Sequence, residues 1–193
     1  MMMLEEKTVY FEKFDEEKNT VKVLELVREY AEKNNIRSIV IASTRGFVAE
    51  KALEILDPER FNIIIVTHVS WFREGVKQEF NEDLHSNLIE RGVKVITAAH
   101  ALGGICSAVD KKYGGLSPGG LIANVLRTFC EGMKVAVEIA LMATDAGYVK
   151  PGEDVIAVAG TGRGADTAVL ITATVSRRFF DLRVKKILAK PIY

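Results

Sequence analysis

The chain has 193 residues, 48% of them hydrophobic and 27% charged, a balance that suits one soluble domain with a full core. Lysine plus arginine and aspartate plus glutamate each number 26, so no global basic field draws in nucleic acid or an anionic membrane. Cys106 and Cys130 lack metal or redox spacing and indicate a reducing, cytoplasmic setting without a disulfide framework. The opening Met-Met-Met-Leu-Glu-Glu-Lys has no signal-peptide core, and the apolar runs are too short to span a bilayer. One glutamine, Gln78, beside abundant Glu, Lys and Arg hints at a thermophilic source.

Thr8 to Phe14 reads as a first edge strand. Asn19 or Thr20 can cap a helix with apolar positions Val21, Leu24, Val27 and Ala31, ended by Asn34-Asn35. Arg37 to Ala42 is a buried-strand run, and Ser43-Thr44-Arg45-Gly46 leads into a helix from Phe47 to Leu56 that Asp57-Pro58 stops. Phe61 to Thr67 is the next strand, followed by an irregular stretch from His68 to Phe80. Asn81 to Arg91 is a helix closed by Gly92, and Val93 to Ala98 is a further strand. A Gly-rich connection leads to Ser117-Pro118, a cap and first-turn proline. Two helical stretches broken near Gly132 run on to Asp145-Ala146-Gly147. Val155 to Ala159 and Thr167 to Val175 flank a glycine loop, and a last strand falls near Asp181 to Ala189.

Strands alternating with helices predict a mostly parallel sheet covered on both faces. The link from Ala159 to Thr167 is too short for a crossover helix, so those two strands are expected to be antiparallel neighbours. Ligands of such sheets bind beyond the carboxyl ends of parallel strands. Three segments fall there. Ser43, Thr44, Arg45 and Gly46 offer hydroxyls, a guanidinium and the free N–H groups of a helix start, which suit a phosphate; plain helix capping is the alternative. Thr67 and His68 precede Trp71, Phe72 and Arg73, where an aromatic can stack on a ligand ring or plug the core or an interface. The third is Gly160-Thr161-Gly162-Arg163-Gly164-Ala165-Asp166-Thr167, whose glycines permit positive φ and whose arginine suits a phosphate.

The glycine loop fits a dinucleotide fingerprint poorly, because a β-branched run rather than a helix follows it, and no GxxxxGK[ST] motif occurs. His68 and His100 both follow strands and can face one cleft, whereas His85 lies on a polar helix face. No histidine or cysteine spacing supports a metal site. Glu138 interrupts an apolar helix, with Asp145 seven residues on; it is a general base of raised pKa or, more simply, a structural carboxylate paired with an arginine or backbone N–H groups.

The ordered set Val40 to Gly46, Ile64 to His68, Val93 to Thr97, Gly114 to Ser117, Val137 to Gly147 and Gly160 to Thr167 resembles the stand-alone proteins that are similar to the C-terminal domain of pyruvate kinase. The resemblance implies a three-layer α/β/α domain with a mixed sheet of about five strands, the last antiparallel. It also implies a sugar-phosphate site between the loops Ser43–Gly46 and Gly160–Thr167, and flavin mononucleotide (FMN) as the cofactor of some relatives. Pyruvate kinase activity is not expected, since 193 residues leave no room for the catalytic barrel. The stretch from Ala99 to Gly120 has no clear counterpart in the kinase domain.

These readings converge on a binding protein for a phosphorylated small molecule, with FMN first. Ser43, Thr44 and the Gly46 and Phe47 amides hold the phosphate from one side, and Gly162, Arg163 and Gly164 from the other. Asp166 accepts a ligand hydroxyl or braces Arg163, while Thr67 and His68 line the ring side. The alternatives are a flavin-dependent oxidoreductase, a small sugar-phosphate enzyme, or a regulatory module that oligomerises. A homodimer is the assembly expected first.

Overall fold

A computed structural model describes residues 7–192, so the opening stretch read above lies outside the described residues apart from Lys7. The strands are β1 (Val9–Phe11), β2 (Ser38–Ala42), β3 (Asn62–Val66), β4 (Lys94–Ile96), β5 (Asp154–Ala159), β6 (Thr167–Thr172) and β7 (Arg183–Pro191). The helices are α1 (Glu16–Asn34), α2 (Phe47–Ile55), α3 (Glu82–Glu90), α4 (Ile105–Tyr113), α5 (Pro118–Arg127) and α6 (Glu131–Asp145), with a 3-10 segment at Ser176–Asp181.

The strands form one seven-stranded sheet in the order β1-β7-β6-β5-β2-β3-β4. β2 runs parallel to β3 and β5, and β3 to β4, while β6 runs against both β5 and β7. The short link between β5 and β6 thus makes the antiparallel pair expected of it. The sheet has seven strands rather than about five; β1 and β7 extend it beyond β6, with β1 parallel to β7.

The strand runs SIVIA, NIIIV, DVIAVA and TAVLIT are apolar almost throughout because both faces of the sheet are covered. On one face Val23, Leu24 and Val27 of α1, Val48 and Ala52 of α2 and Leu88 of α3 pack on Ile39, Ile63, Ile156 and Ala168. On the other, Met133, Val137, Ala140 and Leu141 of α6 and Ala123 of α5 pack on Val40, Ile64, Val155 and Val169. The result is the three-layer α/β/α arrangement.

Several boundaries differ from expectation. Helix α1 begins four to five residues early because Asp15, not Asn19 or Thr20, caps it, accepting from Lys18 N–H at 3.0 Å. Thr20 lies within the helix, and its hydroxyl accepts from the Ala165 amide at 2.9 Å. The connection before Ser117 contains α4, which has no buried residue and so lacks the buried stripe by which helices are read. The two helical stretches are separated near Gly132 as expected, between Arg127 and Glu131, but Gly132 itself lies in the first turn of α6. A Cβ there would meet Thr167 Oγ1 at 2.1 Å, so the glycine lets that turn lie directly on the start of β6.

Candidate functional site

The strand order reverses at β2. From there β3 and β4 lie on one side and β5 on the other, and ligands of such sheets bind beyond the carboxyl ends of the strands at this point. Residues 43–47 leave β2 at this point and residues 160–166 leave β5. Both expected loops therefore meet at the strand-order switch.

The first loop is set by the start of α2. Ser43 is buried; its N–H donates to Val66 carbonyl at 3.0 Å, and its hydroxyl accepts from the Ala49 amide at 3.2 Å. Ser43 thus satisfies one amide of the helix's first turn, while the N-cap position itself is Gly46, without a side-chain cap bond. Gly46, at φ 113°, turns the chain into α2, leaving the Gly46, Phe47 and Val48 amides without an intrahelical acceptor.

The second loop is compacted by its own atoms. Asp166, fully buried, accepts from the Thr161 amide at 3.1 Å and from the Thr167 hydroxyl at 2.7 Å. Its carboxylate shapes the loop instead of reaching Arg163, whose guanidinium pairs with Glu16 at 3.2 Å and lies over the Phe47 ring at 5.2 Å. Of the three glycines only Gly162 takes positive φ, at 79°. Gly160 and Gly164 serve close approach: a Cβ would come within 2.3 Å of the Gly164 carbonyl and 2.8 Å of the Glu16 carbonyl respectively.

Between the loops lies a cavity of about 360 Å³, with a second of about 330 Å³ adjoining it through Thr44, His68, Gly162 and Arg163. Such volumes fall within the range of small-molecule sites, roughly 300–1,000 Å³. Val66, Val135, Ile139 and Met142 line the first as an apolar wall, with His68, His100, Glu131, Lys134 and Glu138 among its polar side chains. Lys134 and Glu138 form an ion pair one helical turn apart on α6, their side chains only 12% and 5% exposed. The other Glu138 oxygen accepts from the Leu102 amide at 3.0 Å, so this carboxylate is the structural one, paired with a lysine rather than an arginine.

The His68 and His100 rings sit 5.2 Å apart, centre to centre, and the Phe72 ring packs against His68 at 4.3 Å, tilted by 54°. Burial lowers the pKa of both imidazoles. The neighbouring His100 lowers His68 further against the pull of Glu79, and Glu138 partly offsets the effect at His100. Glu79, its side chain 9% exposed, gathers Arg45 and Arg73, each at 3.2 Å, and approaches His68 Nδ1 at 3.7 Å. That last distance is beyond a hydrogen bond, and Nδ1 is buried without a partner.

The expected residues divide into two groups. Ser43, Thr44, Arg45, Phe47, Thr67, His68, Gly160, Gly162, Arg163 and Gly164 line one or both cavities. Gly46, Thr161, Ala165, Asp166 and Thr167 build the loops from behind. Thr67, although it lines the first cavity, turns its hydroxyl to Thr97 at 2.7 Å. Trp71 lines neither cavity and does not enter the core: it is 66% exposed. The sequence reading passed over Lys134, Glu79 and Met142. The i, i+4 spacing of Lys134 and Glu138 inside an apolar helix was the available signal for the first.

The fold and crevice define a doubly covered α/β domain with its pocket at the strand-order switch between β2 and β5. The family described as pyruvate kinase, alpha/beta domain, matches residues 21–171. The chain belongs to that family. Among the described residues, no helix is long and apolar enough to cross a membrane.

Proposed function

We propose that the protein binds a phosphorylated small molecule at the β2/β5 switch. The observation that carries this reading is the convergence of two loops on one pair of cavities: Thr44 and Phe47 at the start of α2 from one side, Gly162, Arg163 and Gly164 from the other. A helix start with its dipole, a hydroxyl and a guanidinium are the donor set of a phosphate site.

FMN is the first ligand to test. The residues present fit it in kind: donors for the phosphate at the mouth, and an apolar wall of Val66, Val135, Ile139 and Met142 for a flat ring. A flavin, when bound, supplies reversible hydride acceptance. The chain's own residues anchor the phosphate, exclude water from the wall and hold the Lys134 ammonium beside the ligand. The test is an absorption spectrum of the purified protein with mass spectrometry of released small molecules, followed by calorimetric titration with FMN. Saturable binding that is lost with the unphosphorylated riboflavin supports the reading. No affinity for FMN removes the flavin, and no affinity for any phosphorylated compound removes the site.

A further inference from the structure

The phosphate-binding reading leaves the polar part of the larger cavity unused. Two imidazoles, one ammonium and two carboxylates line it, His68, His100, Lys134, Glu138 and Glu131, the last paired with Arg127. A buried ion pair stabilises a fold less than well-packed apolar side chains of the same volume, so its place in a cavity wall calls for a chemical reason. Glu138 is used by Lys134 and by the Leu102 amide. The imidazoles are unprotonated near neutrality because burial disfavours their cationic forms. His68 lines both cavities, and its Nδ1 lies 3.7 Å from Glu79.

We propose that this cluster moves protons at a carbon next to a carbonyl in a phosphorylated substrate of the aldose or ketose phosphate class. The proposal rests on the phosphate-binding reading but not on the flavin. It also favours a carbonyl compound over the flavin, because an oxyanion that forms during reaction gives the fixed ammonium and the second imidazole a purpose. His68 takes the proton from the carbon beside the carbonyl, breaking that C–H bond and becoming imidazolium. The electron pair moves onto the carbonyl oxygen, and Lys134 stabilises the resulting enediolate. His100 carries the hydroxyl proton from one oxygen to the other, and His68 returns its proton to the adjacent carbon. One C–H bond breaks and one forms, so the step is an isomerisation that needs no oxidant or reductant.

The experiment incubates the whole protein in deuterium oxide with dihydroxyacetone phosphate, ribulose 5-phosphate or fructose 6-phosphate. Deuterium at the carbon beside the carbonyl is read by mass spectrometry, and binding of each probe is followed by thermal shift. The expected result is exchange above the protein-free rate with at least one probe. H68N and H100N should each slow it by about 10²-fold or more while still binding that probe. The double variant K134M/E138L, which leaves no unpaired buried charge, should also bind and not exchange. A probe that binds without exchange overturns the proton-transfer role and leaves the phosphate site standing. No binding by any of these probes and no exchange overturn the carbonyl-substrate proposal, and the phosphate site falls with it only if FMN also fails to bind. Exchange that survives both histidine variants overturns the assignment to this cluster.

Discussion

Arg163 meets any incoming phosphate already paired with Glu16 and laid across Phe47, and its side chain is 60% exposed. Solvent screens such a cation, and the ligand must displace a carboxylate to reach it. Arg163→Ala is therefore expected to weaken a phosphorylated ligand about tenfold, near 1.4 kcal/mol, at the low end for a charged hydrogen bond. Glu16→Gln should tighten the same ligand at low salt; titration calorimetry of both variants checks the pair. Lys134 and Glu138 stand at the other extreme. Removing only Glu138 strands a buried ammonium, so Glu138→Leu should cost about 3–5 kcal/mol in urea unfolding, most of it recovered in the double variant K134M/E138L. At this scale the legible residues were those in sequence-local patterns, Arg163 among glycines and Ser43 before a helix. Lys134 was hidden because its meaning comes from His100, which lies in the connection between β4 and α4 and shares only the cavity with it.

The elements owe their positions to a few close approaches. Gly132 and Gly162 separate two reasons for glycine. At Gly132 any side chain collides with Thr167, so Gly132→Ala is expected to destabilise the fold by about 1–3 kcal/mol through overpacking and to disturb the loop that Asp166 and Thr167 build. At Gly162 the space is open and only the backbone is special, with φ at 79°. Gly162→Ala should cost about 1–2 kcal/mol, the strain of a left-handed residue, with a proportionate loss of ligand affinity. Equilibrium unfolding of the two variants distinguishes them, since Gly132→Ala should also loosen α6 against β6 in hydrogen exchange. Element types were readable because β2, β3, β5 and β6 are continuous β-branched runs and α1 and α6 carry helical periodicity. Helix α4 was not, since a helix that buries nothing imposes no pattern.

For the molecule as a whole, the buried imidazoles tie stability to pH. Unfolded histidine begins to protonate near its ordinary value, about 6.5, whereas the folded His68 and His100 do so only at lower pH. Below about 6.5 the unfolded chain therefore binds more protons, and stability falls as the pH drops toward the folded values. The urea midpoint should decline from pH 7 to pH 5, and the double variant H68N/H100N should decline less over the same interval. Strand order was the part of the architecture that local pattern could not supply. Nothing in the β2 or β5 sequences states that they are neighbours; their pairing depends on α6 covering one face and α1 with α2 the other.

The pairing of β1 with β7 sets the order of assembly. Val9 lies opposite Ala189, so this edge of the sheet joins segments separated by almost the whole chain. Closing so long a loop is entropically expensive before the intervening strands have formed. The first strand must therefore wait for the last one. It should dock late in refolding, after the β2–β3–β5 centre that frames the crevice has already consolidated.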